Sequence, residues 1–153
     1  MTNYKNLPLA LFHSLRDKFF TDVIIDYGRP DPIRMKGWTV LVLALFLSRK
    51  IRTYECSRIG LALPPGVAGV LGNLAVLFAG KTPVNLNLTV SKDSMISSLH
   101  EAEIEVMLSA EKVRSKFPEF PWSDNFIDLG ELLAVEKTRK MSLLFSTLQL
   151  WFL

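Results

Sequence analysis

Between Arg58 and Thr89 the chain reads RIGLALPPGVAGVLGNLAVLFAGKTPVNLNLT. Pro64-Pro65-Gly66 closes a short apolar run, Arg58 to Leu63, because proline lacks an N–H and can neither continue a ladder nor sit inside a helix. Val67 to Ala79 follows as an apolar run of helical length. Gly80 then stands where a helix ends in left-handed backbone, and Pro83 to Asn87 makes a second strand. No charged residue occurs from Ile59 to Gly80. A strand–loop–helix–strand unit of this kind needs cover on both faces, the situation of a parallel sheet inside an α/β domain.

Two other readings of the same stretch fail on its internal order. Ile59 to Gly80 is long enough to register as a membrane span. Pro64-Pro65-Gly66 cuts it into a strand-length and a helix-length piece, and Gly60, Gly69 and Gly72 weaken a continuous helix. Ala75 to Thr82 satisfies a relaxed phosphate-loop pattern ending in Gly80-Lys81-Thr82. A phosphate loop needs a strand before it and a helix starting at the lysine, so that backbone amides and helix dipole meet the anion. Here a helix precedes Gly80 and a strand follows Thr82, so Gly80 is expected to be a helix C-cap and Lys81 to have no nucleotide role.

Outward from this unit, Leu7 to Phe20 places Leu7, Leu11, Leu15 and Phe19 on one helical stripe. Val23 to Tyr27 and Ile33 to Lys36 read as strands of a small hairpin across Gly28-Arg29-Pro30-Asp31-Pro32. Thr39 is expected to cap a helix from Val40 to about Arg52 that buries most of its circumference. Downstream, Ser91 starts a helix with Asp93 in its first turn, continuing through Met95, Ile96, Leu99 and Ala102. Ile104 to Leu108 reads as a strand, Glu111 to Ser115 as a short helix, and Asn125 to Leu129 as a further strand. The expected fold class is α/β: a partial doubly wound, mostly parallel sheet with flanking helices, preceded by a small hairpin. The expected division is 1–57 for the first helix, hairpin and buried helix, 58–130 for the β-α-β-α-β core, and 131–153 for a helical apolar tail.

That tail, from Met141 to Leu153, is nearly all apolar and ends on Leu150-Trp151-Phe152-Leu153. Chain termini are ordinarily exposed and frayed. The expectation is therefore a sequence cut inside a longer protein, and the alternative is a membrane-surface or partner-binding tail.

The 153 residues suit one domain with a real core. Hydrophobic content is 49%, mean hydropathy +0.24, net charge +3 and pI about 9.1. The basic clusters, Arg49-Lys50-Ile51-Arg52 and Lys137-Thr138-Arg139-Lys140, are short and lack interleaved aromatics, which argues against nucleic acid as a partner. Cys56 is the single cysteine, so no internal disulfide or thiolate metal cluster forms, in keeping with a reducing compartment. The first residues show no secretory pattern, and the expected location is cytoplasmic, with peripheral attachment at the inner face of the membrane as the accompanying option.

No complete catalytic constellation is visible. Neither His13 nor His100 completes the His-Asp pair of phospholipid acyltransferases, in which the carboxylate lies five positions on. Lys18 and Glu105 occupy those positions, and Asp17 is one place short. Ser14, Ser48 and Ser57 lack a Gly-x-Ser-x-Gly elbow, and Cys56 has no nearby histidine. The acidic residues form neither a metal box nor an acid/base pair. The sequence thus assigns no catalytic, cofactor-binding or metal-ligating residue to this chain.

Leu61-Ala62-Leu63-Pro64, Leu74-Ala75-Val76-Leu77-Phe78-Ala79-Gly80, Pro83-Val84-Asn85-Leu86-Asn87 and the strand from Ile104 to Ser109 together resemble the early part of the adenylate-forming (AMP-binding) superfamily. The wording is most similar to bacterial acyl-[acyl-carrier-protein] synthetases, often fused to or named with 2-acylglycerophosphoethanolamine acyltransferase. Phe117-Pro118-Glu119-Phe120-Pro121-Trp122 is similar to the same branch. The resemblance covers about a third of the chain and loosens upstream, around Gly37-Trp38-Thr39-Val40-Leu41. It implies the outer part of an N-terminal subdomain of an enzyme that activates a fatty acid as an acyl-adenylate with ATP and Mg2+. That enzyme then passes the acyl group to acyl carrier protein, feeding lysophospholipid acylation. The family's Ser/Thr/Gly-rich loop ending in Pro-Lys-Gly, its aromatic-Gly-x-Thr-Glu segment, its ribose-holding Asp and its C-terminal lysine are not in this sequence. The expectation is a chain inactive alone, with the remaining parts either downstream or on a separate chain. The rival is a non-catalytic membrane-surface or partner-binding remnant.

Overall fold

Pro64-Pro65-Gly66 does break the apolar run, and the sheet forms around the strand that it ends. The computed structural model describes residues 6–28 and 30–134. The elements in order are α1 (Leu7–Asp17), β1 (Asp22–Asp26), β2 (Ile33–Lys36), α2 (Gly37–Arg52), β3 (Arg58–Leu61), α3 (Val67–Phe78), β4 (Thr82–Asn85), α4 (Lys92–Glu101), β5 (Val106–Ser109), α5 (Glu111–Lys116) and β6 (Asn125–Asp128). A helical segment over 129–134 follows. β1 and β2 form an antiparallel hairpin with an irregularity between Asp22 and Ile24. The other four strands form one parallel sheet in the order β4-β3-β5-β6. The expected α/β class, with its hairpin and parallel sheet, is the observed one.

The pleat sorts the strand residues between two faces. Leu61 lies opposite Leu108, which lies opposite Ile127. These three join Ile59 and Val106 in a core with Leu71, Leu74 and Ala75 of α3 and Val40, Ala44, Leu47 and Ile51 of α2. Burying a single Leu or Ile side chain contributes about 1.5–3 kcal/mol, so this stripe-on-sheet contact is the main stabilising term. On the opposite face Gly60 pairs with Met107. A Cβ there would approach Ile104 to 2.8 Å and Leu86 to 2.9 Å, so glycine lets the segments flanking α4 close over the sheet.

Three helix ends are satisfied by residues close to them in the chain. Ser91 caps α4 through Ser94 N–H, and the Asn6 carbonyl oxygen of the side chain accepts Leu9 N–H at 2.9 Å at the start of α1. Gly80, at φ +78°, ends α3 in a Schellman arrangement: Gly80 N–H donates to Leu77 O at 3.0 Å and Lys81 N–H to Val76 O at 3.1 Å.

β4 is a border strand and contains Pro83. Thr82 N–H donates to Ser57 O and Leu86 N–H to Leu61 O, so alternation turns the nitrogen of Pro83 outward, where its missing hydrogen costs no ladder bond.

Several expectations are corrected. α1 ends at Asp17, not Phe20, and Leu7 (59% exposed) and Phe19 (41%) leave the core stripe to Leu11 and Leu15. Residues 18–20 instead turn sharply, with Thr21 N–H donating to Lys18 O. α2 begins at Gly37, so Thr39 lies in its first turn and caps nothing; the N-cap position is Lys36, without a side-chain bond. α2 fully buries the stripe Gly37, Val40, Leu41, Ala44, Leu47, Ser48 and Ile51, and from Gly37 to Ser48 its other residues except Val42 are half-buried, with Leu43 and Phe46 also packed on the core. The strands expected over 58–63, 83–87 and 104–108 are observed as Arg58–Leu61, Thr82–Asn85 and Val106–Ser109. Ala62 and Leu86 still donate to Leu108 O and Leu61 O, after which Leu63 and Asn87 run on as loops at the carboxyl edge. Arg29, Lys137 to Lys140 and the tail from Met141 to Leu153 lie outside the described residues.

Candidate functional site

From β3 the chain moves to β4 on one side, then returns past β3 to β5 on the other. Between β3 and β5 the winding reverses, and in open parallel sheets ligands bind outside the strands' carboxyl ends at such a point. Here Leu63, Pro64 and Pro65 leave β3, Leu86 to Thr89 leave β4, and Lys112, Val113, Lys116 and Phe117 come from α5 and its end. Together they line a crevice of about 500 Å³. A second groove, about 620 Å³, shares Leu63 to Pro65 and continues along Gly69, Val70, Asn73 and Asn85. The walls are apolar, and the cations of the first crevice are Lys112 and Lys116. Such a cleft suits an apolar body with an anionic end. Among the described residues its polar lining is Asn87, Thr89, Lys112 and Lys116, a set suited to holding and orienting a ligand.

The edge is held by side chains that the sequence did not single out. The Asp26 carboxylate, at the end of β1, accepts Gly28 N–H at 2.8 Å and Val67 N–H at 3.1 Å. It thereby caps α3, whose own N-cap, Gly66, has none to offer. Gly66 is at φ +114°, and a Cβ on it would overlap that carboxylate. Asp128, at the end of β6, accepts Gly130 N–H at 2.7 Å and Glu131 N–H at 3.3 Å with one oxygen, and Glu111 N–H at 3.2 Å with the other. One carboxylate therefore serves two helix starts. The buried Ser109 hydroxyl donates to Ala62 O, tying β5 to the segment after β3. Asn73 and Asn85 exchange amide hydrogen bonds at 3.0 and 3.1 Å. A signal for the Asp26 contact was available: a helix starting Pro64-Pro65-Gly66-Val67 has no capping side chain of its own and must take an acceptor from elsewhere.

Lys81, His13, His100, Ser14, Ser48, Cys56 and Ser57 are not gathered at this crevice. Lys81 precedes β4, at the opposite, amino edge of the sheet. Its ammonium donates to Tyr54 O at 2.6 Å and Cys56 O at 2.5 Å, while Arg52 donates to Phe78 O at 2.9 Å. The two cations thus satisfy carbonyls on each other's segment, at the ends of α2 and α3. His13 lies on α1 beside the Phe12 ring, 5.7 Å between centroids, and His100 is in the last turn of α4. Ser14 is on α1, Ser48 donates to Leu45 O within α2, and Cys56 and Ser57 precede β3. ATP and Mg2+ do not find a fit in these residues. Lys81 is committed to backbone carbonyls, the starts of α3 and α5 already hold the carboxylates of Asp26 and Asp128, and no group of three or more His, Cys, Asp or Glu among the described residues could hold a metal. None of the described helices is long and apolar enough to cross a membrane.

Neither a protein-family profile nor a curated protein matches the sequence. Solved structures do. A nonribosomal peptide synthetase, FmoA3 in an AMPPNP-bound form, matches with TM-score 0.69 and 13% identity over 80% of this chain and 13% of its own. A fatty acyl-adenylate ligase from L. pneumophila, in complex with acyl adenylate and pyrophosphate, matches with TM-score 0.67 and 15% identity over 80% of this chain and 23% of its own. A natural red emitting luciferase from Phrixothrix hirtus matches with TM-score 0.62 and 16% identity over 77% of this chain and 30% of its own. The chain therefore spans less than a third of each of these proteins. At such identities the likeness establishes the fold alone: this chain carries a fold also found within a nonribosomal peptide synthetase, a fatty acyl-adenylate ligase and a luciferase.

Proposed function

We propose that these residues form part of the N-terminal subdomain of an ATP-dependent ligase that activates a fatty acid as an acyl-adenylate. The observation that carries the reading is a coincidence of wording and topology. The segments Leu61 to Pro64, Leu74 to Gly80 and Pro83 to Asn87, which resemble that family, are the β3, α3 and β4 region of a fold shared with a fatty acyl-adenylate ligase. In this reading 58–130 is the subdomain core, 1–57 a supporting segment and 131–153 a tail. ATP and Mg2+ are held by parts of the enzyme outside these 153 residues, and no catalytic, cofactor-binding or metal-ligating residue is assigned to this chain. The chain contributes scaffold and the apolar wall of a crevice. The finer assignment, transfer of the acyl group to acyl carrier protein for lysophospholipid acylation, rests on the bacterial acyl-[acyl-carrier-protein] synthetase wording. The same reading places the protein in the cytoplasm, with peripheral attachment to the inner face of the membrane.

ATP–pyrophosphate exchange tests it. The purified chain is expected to give none, and exchange dependent on fatty acid is expected when it is joined to, or mixed with, a polypeptide carrying the Ser/Thr/Gly-rich loop ending in Pro-Lys-Gly. Exchange by the 153 residues alone, or none from the combination, overturns the proposal.

A further inference from the structure

We infer that the turn joining α1 to β1, with the outer face of the hairpin, docks on an anionic phospholipid surface. Phe20 is 77% exposed and Phe19 41%. Their rings meet edge to face at 5.0 Å, and Phe19 lies 6.5 Å from the Trp38 ring. Two adjacent exposed phenylalanines in a turn serve no core. The hairpin continues the patch: Lys36 donates to Phe20 O at 3.0 Å, and Ile25, also 41% exposed, lies across from Arg34. Among the described residues at this tip, Arg16, Lys18, Arg34 and Lys36 outnumber the carboxylates Asp17 and Asp22; Asp17 pairs with Arg16 at 3.0 Å, and Asp22 reaches Arg34 at 3.6 Å and Lys36 at 3.8 Å.

Charge and shape choose the occupant. Lysine is depleted at the centre of protein interfaces, yet cations surround this apolar tip. Aromatic side chains flanked by lysine and arginine suit the headgroup boundary, where rings enter the acyl region and cations meet lipid phosphates. The tip projects from a turn instead of lining a groove, which favours insertion into a soft surface. The inference deepens the peripheral attachment in the proposed function by assigning it to folded residues, and it needs no adenylate chemistry.

The test is partition of the full chain onto phosphatidylglycerol vesicles, compared with phosphatidylcholine vesicles, read by co-sedimentation and by quenching of tryptophan fluorescence with brominated lipid. Preference for phosphatidylglycerol is expected, falling with added salt. Trp38→Phe is expected to remove a share of the quenching that Trp122→Phe leaves in place. Phe20→Ser, at an exposed site that leaves the fold intact, is expected to weaken partition about tenfold, and Lys36→Ser to weaken it less. Unchanged partition in Phe20→Ser overturns the inference. If Leu144→Ser with Phe145→Ser abolishes binding while Phe20→Ser does not, attachment survives and the turn is excluded. Equal binding to neutral vesicles also overturns the inference, as does loss in Phe20→Ser of a protein partner but not of lipid.

Discussion

Asp26 caps a helix that begins 41 positions later in the chain, its carboxylate accepting the Val67 amide at 3.1 Å. Asp26→Ala is expected to lower unfolding stability by about 1–2 kcal/mol, measured by urea denaturation. Gly66→Ala is expected to destabilise as well, since φ +114° strains alanine and its Cβ would overlap the Asp26 carboxylate. The double variant should lose less than the two single losses added, because deleting the carboxylate removes the overlap. Strict additivity would show that the two residues do not meet.

The exchange between Arg52 and Lys81 makes a second prediction. Lys81→Met leaves the Tyr54 and Cys56 carbonyls without their donor and is expected to cost about 1–3 kcal/mol. Nucleotide should protect neither the wild-type chain nor the variant against thermal unfolding. Protection of the wild type by ATP that is lost in Lys81→Met would restore the phosphate-loop reading.

Asp128 holds the starts of α5 and of the 129–134 helix together. In Asp128→Ala the amides of Glu111, Gly130 and Glu131 are expected to exchange with deuterium faster together, while β3 and β5 keep their protection. Stability should fall by about 1–2 kcal/mol.

The crevice supplies a prediction about binding. A fluorescent fatty-acid analogue is expected to bind weakly between Leu63, Val113 and Phe117, with its carboxylate toward Lys112 and Lys116. Val113→Trp should fill the space and abolish the signal. Lys112→Ser with Lys116→Ser should weaken binding several-fold. Retained binding in Val113→Trp would place the ligand elsewhere.

Local chemistry was readable where the responsible atoms are close in sequence. Gly80 ends α3, Ser91 caps α4 and Pro64-Pro65-Gly66 separates β3 from α3, each through contacts within a few residues. Thr39 misled because an isolated capping residue says nothing about whether the chain has already entered a helix, and Gly37 starts α2 two positions earlier. Phe19 misled because period alone cannot show where a helix stops; a turn at Lys18 to Thr21 carries it out of the stripe. The crevice and its supports were hidden for a different reason. Asp26, Asp128 and Ser109 act across 41, 17 and 47 positions, and no local pattern carries a partner at that distance.

Pro83 has a consequence for assembly. An unpaired strand is a template on which another chain can crystallise, molecule after molecule. On the β4 side the template has a missing tooth, so an incoming strand meets a gap in the row of donors. Recruitment of a further strand on the β4 side is thereby disfavoured, and the proline guards that border of the sheet against pairing with another chain.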